Sequence, residues 1–227
     1  MRILFCDDDS KILAQLQKYV CEYFEKGIHK MGKIFYIMGK SATGKDTIYE
    51  ELLEHRGLGL RPLIMYTTRP IRAGETDGVQ YHFVTEEQLK ALEHAGKVIE
   101  LRTYQTVYGP WHYFTVDDGQ INLEKGNYLY IGTLESYEQM VRYYGKEVVV
   151  PIYVEVETGE RLTRAVNRER QQENPKYTEL CRRFLADEED FCEENIKKAG
   201  IKKRYENNSL ERCIEEIVED IRDFMVL

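Results

Sequence analysis

The apolar run Ile34-Phe35-Tyr36-Ile37-Met38 leads directly into the glycine-bounded string Gly39-Lys40-Ser41-Ala42-Thr43-Gly44-Lys45-Asp46-Thr47, and a helical pattern carrying Ile48, Leu52 and Leu53 follows. Strand, loop and helix in that order open a parallel α/β layer, and Gly-x4-Gly-Lys is the spacing of a phosphate-binding loop. Glycine lets the backbone wrap an anion with its N–H groups inward, and the helix N-terminus adds its positive end. Every residue from Gly39 to Thr47 is therefore a candidate contact for a nucleoside triphosphate, with Lys45 reaching the outer phosphates. Asp46 stands where Ser or Thr normally offers a hydroxyl to Mg²⁺, which leaves Asp46 and Thr47 as alternative metal ligands.

About twenty residues on, Thr67-Thr68-Arg69-Pro70-Ile71-Arg72-Ala73-Gly74-Glu75-Thr76-Asp77-Gly78-Val79-Gln80-Tyr81-His82-Phe83 sets two arginines three apart, then a glycine-rich turn and a tyrosine. Guanidinium groups suit planar, bidentate recognition of phosphate, so Arg69, Arg72 and Tyr81 form a candidate clamp for a monophosphate. A solvated loop beside a buried aromatic is the plainer reading of this stretch, and the neighbouring phosphate loop weighs against it.

Both strings together resemble the guanylate kinase family, and the resemblance covers residues 31–227. It implies a P-loop NTPase-type parallel sheet flanked by helices, with an inserted monophosphate-binding arm at about 66–116 and a helical lid at about 160–185. It also implies ATP as donor, GMP as acceptor and Mg²⁺ as cofactor, with Lys45, Arg69, Arg164, Arg168 and Arg183 as catalytic residues. Glu100 matches the glutamate that contacts guanine, Tyr108 matches a tyrosine at the monophosphate, and Asn207 matches a polar residue near adenine. A carboxylate accepts from the N1–H and 2-amino donors of guanine, a pairing that adenine cannot offer.

The chain also departs from the family pattern. Met65-Tyr66 replaces serines, Pro110 replaces a small hydroxyl residue, and the strand Tyr128-Leu129-Tyr130-Ile131-Gly132 lacks the family's aspartates. Gly132 is expected to leave space there instead of charge. Ribose bisphosphate kinases resemble the same fold and also carry Gly-Lys-Asp, which keeps a phosphorylated sugar open as an alternative acceptor. A non-catalytic guanylate-kinase-like interaction module is the other alternative; such modules typically lose the P-loop lysine and the lid arginines, both kept here.

Between Arg161 and Arg183 lie seven basic residues (Arg161, Arg164, Arg168, Arg170, Lys176, Arg182, Arg183) against Glu169, Glu173 and Glu179, a net +4 within a chain of net charge −8. Arginines carried by a closing lid would neutralise transferring phosphoryl oxygens and exclude water. Arg161, Arg170 and Arg182 are expected to be surface residues in i,i+4 pairs, and Asp187-Glu188-Glu189-Asp190 a solvated helix face. Thr85-Glu86-Glu87-Gln88 has capping-box spacing, with Leu89 and Leu92 inward. Leu210, Ile214, Ile217, Ile221 and Phe224 predict the apolar stripe of a last helix.

The acidic balance disfavours nucleic acid and anionic membranes as partners. No apolar run is long enough to span a bilayer, and no signal peptide is visible. Five scattered cysteines without metal spacing read as reduced thiols of a cytoplasmic protein, and the five histidines show no ligand spacing. Oligomeric state is left open. Residues 1–30 resemble the first strand and helix of a response-regulator receiver domain, with Asp7-Asp8-Asp9 as its acid cluster. A lone βα unit cannot bury its own apolar face, so this segment is expected to be a truncated remnant or a misplaced start.

Overall fold

The computed structural model describes residues 31–106 and 108–226; the receiver-like reading of residues 1–30 lies outside them. β1 (Ile34–Met38) is buried on both faces, as its unbroken apolar run requires. It sits at the centre of a parallel sheet of five strands ordered β2 (Arg61–Pro62), β7 (Tyr128–Ile131), β1, β8 (Val149–Glu155) and β9 (Tyr205–Glu206). Alternate side chains of β1 feed two cores. Ile34, Tyr36 and Met38 pack with Tyr137 and Met140 of helix α3 (Leu134–Tyr144). Phe35 and Ile37 pack with Ile48 and Leu52 of α1 (Lys45–Glu54) and with Ile217 and Ile221 of α7 (Leu210–Val226).

The stripe predicted for the last helix is correct in the middle and wrong at its ends. Ile217 and Ile221 are buried, whereas Leu210 and Phe224 are 38% and 40% exposed. Cys213 and Val218 complete the buried face instead, because it follows the turn that meets α1 and β8.

A second sheet, ordered β4 (His82–Phe83), β3 (Tyr66–Thr67), β6 (Gly109–Val116) and β5 (Val98–Thr106), carries its own small core of Leu89, Phe114 and Val116. Helix α2 (Glu86–His94) covers it and starts at the expected capping box: Gln88 N–H donates to Thr85 Oγ1 at 3.3 Å, and Thr85 N–H donates to Gln88 Oε1 at 2.8 Å. After β8 the chain forms a helical pair, α4 (Thr158–Arg170) and α5 (Tyr177–Asp190), followed by the short α6 (Glu193–Lys198). Glu157 caps α4, accepting from the N–H groups of Gly159 and Glu160 at 2.9 Å each. No helix among the described residues is long and apolar enough to cross a membrane.

Candidate active site

The phosphate loop leaves the C-terminal end of β1, the end at which open parallel sheets bind ligands. Close approach fixes two of its glycines. A Cβ at Gly39 would meet the Val154 carbonyl oxygen at 2.4 Å, and one at Gly44, where φ is +85°, would meet Asn207 Nδ2 at 2.5 Å. Ala42 holds φ at +65°, a left-handed conformation unusual for a residue with a side chain. Gly44 is the N-cap of α1 and no side chain caps that helix, so its first-turn N–H groups remain for an anion. Lys45 Nζ lies 3.9 Å from the largely exposed carboxylate of Asp46.

The outer side of this loop is held by side chains. Asp187 Oδ2 accepts the Ser41 N–H at 2.8 Å, and Arg161 donates to the Ser41 carbonyl at 3.2 Å. Lys40 Nζ pairs with Glu188 Oε2 at 2.7 Å, and Arg161 bridges Glu188 and Asp187 while lying 3.8 Å over the Phe184 ring. Burial alone would raise the Glu188 carboxyl, but Lys40 and Arg161 outweigh it and hold it below the usual range. Arg161 has no exposed surface. The expectations for Arg161, Asp187 and Glu188 are therefore corrected: they are not a solvated helix face but the clamp that ties α4 and α5 to the phosphate loop. Arg182 does pair locally, with Glu179 at 2.7 Å.

Asn207 is buried; its Nδ2 donates to the Thr43 carbonyl at 2.8 Å, and its own carbonyl accepts from Arg164 at 3.1 Å. Arg164 also pairs with Glu160 at 2.8 Å, Arg183 lies 3.6 Å from Glu179, and Arg168 is exposed. The three arginines thus share the α4–α5 pair beside the loop without converging on a single point.

Just after β3, Arg69 is almost wholly buried and forks onto Glu75, at 2.7 Å and 2.5 Å, with Tyr81 and Phe83 beneath its guanidinium. Those hydrogen bonds hold the Glu75 carboxyl down at about 2. The Arg72 backbone N–H donates to the same carboxylate at 2.8 Å, while its guanidinium lies 6.0 Å over Trp111. Trp111 stacks on Tyr108, which is 83% exposed at the β5–β6 turn.

Glu100 lies on β5 with its side chain fully buried. Its Oε1 accepts from Thr115 Oγ1 at 2.9 Å, Tyr130 Oη at 2.8 Å and Arg102 Nη2 at 3.3 Å; its Oε2 accepts from Arg102 Nε at 3.1 Å. Burial, reinforced by the Glu100 charge, pushes the Tyr130 hydroxyl well above its ordinary value, so it remains a neutral donor. Sequence reasoning missed Arg102. The signal was its position two residues from Glu100 on one strand, which puts both side chains on one face. The expectation that Gly132 leaves open space is also corrected. A Cβ there would sit 2.1 Å from the Tyr36 hydroxyl, which bonds Ser136 Oγ at 2.5 Å and fills the position.

Among the described residues no group of three or more His, Cys, Asp or Glu could hold a metal ion. The site's donor chemistry nonetheless fits Mg²⁺, which takes one or two carboxylates plus phosphate oxygens and water. Asp46, or Thr47 beside it, would be the protein's contribution.

A parallel sheet with a phosphate loop at its centre, flanked by helices, makes this a P-loop NTPase-type protein. The crystal structure of guanylate kinase from Anaplasma phagocytophilum shares that fold, with TM-score 0.60 and 19% identity over 87% of this chain and 88% of that one. The guanylate kinase family model matches residues 31–223, and the chain belongs to that family. Similar curated relatives include the guanylate kinases of Neisseria gonorrhoeae, 39% identical over 84 residues, and Symbiobacterium thermophilum, 32% identical over 121. These alignments cover 37% and 53% of this chain and only 39% and 46% of the two relatives.

Proposed function

We propose that the protein transfers the γ-phosphoryl group of ATP to GMP or dGMP, giving ADP and GDP or dGDP. The observation that carries this reading is the helix start with Lys45 and no side-chain cap at the centre of the five-stranded sheet, with Arg69, Arg72, Tyr81 and Glu100 in and around the four-stranded sheet that meets it at Tyr130 and Glu100. The second string and the family membership supply the acceptor.

The acceptor phosphate oxygen is already anionic, so no general base is required: a P–O bond forms to it as the bond to the ADP oxygen breaks. The loop N–H groups and Lys45 would cradle the donor phosphates. Arg72, whose guanidinium makes no ion pair among the described residues, would hold the acceptor phosphate beside Arg69, which Glu75 keeps in place. Tyr81 and Tyr108 would complete that clamp. Arg164, Arg168 and Arg183 would reach the transferring group as α4 and α5 close over it, and exclude water from it. Asp46 or Thr47 would hold magnesium together with the phosphates, and the metal would supply charge neutralisation there. Asn207, already braced on Thr43, would lie near adenine. A cytoplasmic setting belongs to the same reading and is supported by the free thiols of Cys181, Cys192 and Cys213.

Phosphorus NMR of ATP mixed with GMP tests the proposal. ADP and GDP should appear together in equal amounts with the wild-type protein and disappear with Lys45→Ala; release of inorganic phosphate without GDP would contradict it.

A further inference from the structure

Glu100, the carboxylate that the family resemblance assigns to guanine, already has its hydrogen bonds. Guanine presents two neighbouring donors, N1–H and the 2-amino group, and a carboxylate reads both by offering one oxygen to each. Glu100 Oε1 accepts from Thr115, Tyr130 and Arg102 Nη2, which exceeds the roughly two lone-pair sites of a carboxylate oxygen. Oε2 accepts from Arg102 Nε at 3.1 Å. Thr115 and Tyr130 approach from β6 and β7 as neutral donors, whereas Arg102 is the cation, reaching back along its own strand. Burial would lower the Arg102 guanidinium, but the Glu100 carboxylate beside it opposes that, and it stays charged. Its Nη2 also touches Met65 Sδ at 3.0 Å. Met65 and Arg102 thus close the same side of the carboxylate.

We propose that Arg102 is a specificity-determining residue of the acceptor pocket: it pairs with Glu100 in the free protein, and guanine reaches that carboxylate only by displacing it. The inference rests on the GMP reading above and sharpens it. Exchanging a charged partner for a neutral base is unfavourable in a dry site, so the 2-amino group gains little by binding. The pocket accordingly discriminates weakly between GMP and IMP, which differ by that group. Removing the guanidinium releases Oε2 and part of Oε1 for the base. The effect falls on the acceptor KM and on base choice, because Glu100 lies at the base end and not among the phosphate-binding groups.

The test is steady-state kinetics with ATP and either GMP or IMP, for the wild type, Arg102→Met, Arg102→Gln and Arg102→Lys, with thermal midpoints recorded. Wild-type kcat/KM for GMP and IMP should differ by less than about fivefold, since a freely pairing carboxylate would separate them by about 10²-fold or more. KM for GMP should fall about tenfold in the Met and Gln variants, with a matching rise in the GMP-to-IMP ratio, and return toward the wild-type value in Arg102→Lys. The wild-type ratio needs no variant, so it decides even where a substitution unfolds the protein; a ratio above about 10² overturns the inference. An unchanged or raised KM for GMP in folded Met and Gln variants overturns it as well. Both results leave the kinase reading standing, whereas no turnover of either nucleotide by any of the four proteins overturns both.

Discussion

The proposed donor and acceptor ends of this molecule are built from different material. At the donor end the binding groups are backbone N–H groups, displayed by a loop whose path is set by Gly39 and Gly44 and braced from outside by Asp187, Arg161 and Asn207. At the acceptor end they are side chains drawn from β5, β6 and β7, and their availability depends on what each has paired with. At the donor end one N–H, that of Ser41, is taken by Asp187 while those of the α1 start have no side-chain cap, whereas at the acceptor end both oxygens of Glu100 are already paired.

The sharpest way to break this contrast is Lys45→Ala. It removes the side chain proposed to reach the outer phosphates from the loop, and phosphoryl transfer should fall by at least about 10²-fold. GMP affinity, measured by calorimetry, should stay within about threefold, because the acceptor end shares no group with Lys45. Collapse of GMP binding with surviving turnover would mean the two ends are exchanged.

Arg161→Met tests the bracing of the loop. It leaves Asp187 and Glu188 facing each other beside Ser41, with Lys40 as the remaining cation, and should destabilise the fold by about 3 kcal/mol. A thermal midpoint lower by roughly 6–12 °C is the expected readout, with KM for ATP raised more than KM for GMP. An unchanged midpoint would return Arg161 to the role of an ordinary surface residue.

Gly132→Ala probes the packing beneath the acceptor end. The new methyl would collide with the Tyr36 hydroxyl, at a cost of about 1–3 kcal/mol. Adding Tyr36→Phe removes the hydroxyl but leaves the ring carbon 2.9 Å from the new Cβ, so most of the loss should be recovered and not all. Additive destabilisation in the double variant would show that the two positions do not meet.

The smallest effect is expected at Asp46. Its exposed carboxylate would lie beside a triphosphate bound at the loop and be repelled by it unless a cation intervened. Asp46→Asn should therefore weaken ATP affinity a few-fold in the presence of Mg²⁺ and slightly improve it without the metal. Superimposable Mg²⁺ titrations of ATP binding for the two proteins would assign the metal to Thr47 and leave Asp46 as a residue of the helix start.

The same contrast explains what could be read from the sequence. The phosphate loop was legible because strand, glycine spacing and helix are contiguous, and the Thr85–Gln88 capping box was legible for the same reason. Residues whose partners lie far along the chain were not. Arg161 and Asp187 reach Ser41 across 120 and 146 positions, and no local pattern distinguishes them from the charge pairs of an exposed helix. Tyr36 fills the space beside Gly132 from the neighbouring strand, so a missing acid in the sequence read as a vacancy when a distant phenol occupies it. Arg102 is the exception: its pairing with Glu100 is local, and strand alternation alone would have placed the two side by side.

The most direct test of the whole account is kcat/KM with ATP and GMP, dGMP, AMP, UMP, CMP or ribose bisphosphate as acceptor. GMP or dGMP should exceed AMP, UMP, CMP and the sugar by at least about tenfold, the margin expected of an acceptor carboxylate whose guanine pairing is opposed but not abolished by Arg102. Equal turnover of AMP, or a preference for ribose bisphosphate, would contradict the assignment of the acceptor end while leaving the donor end intact.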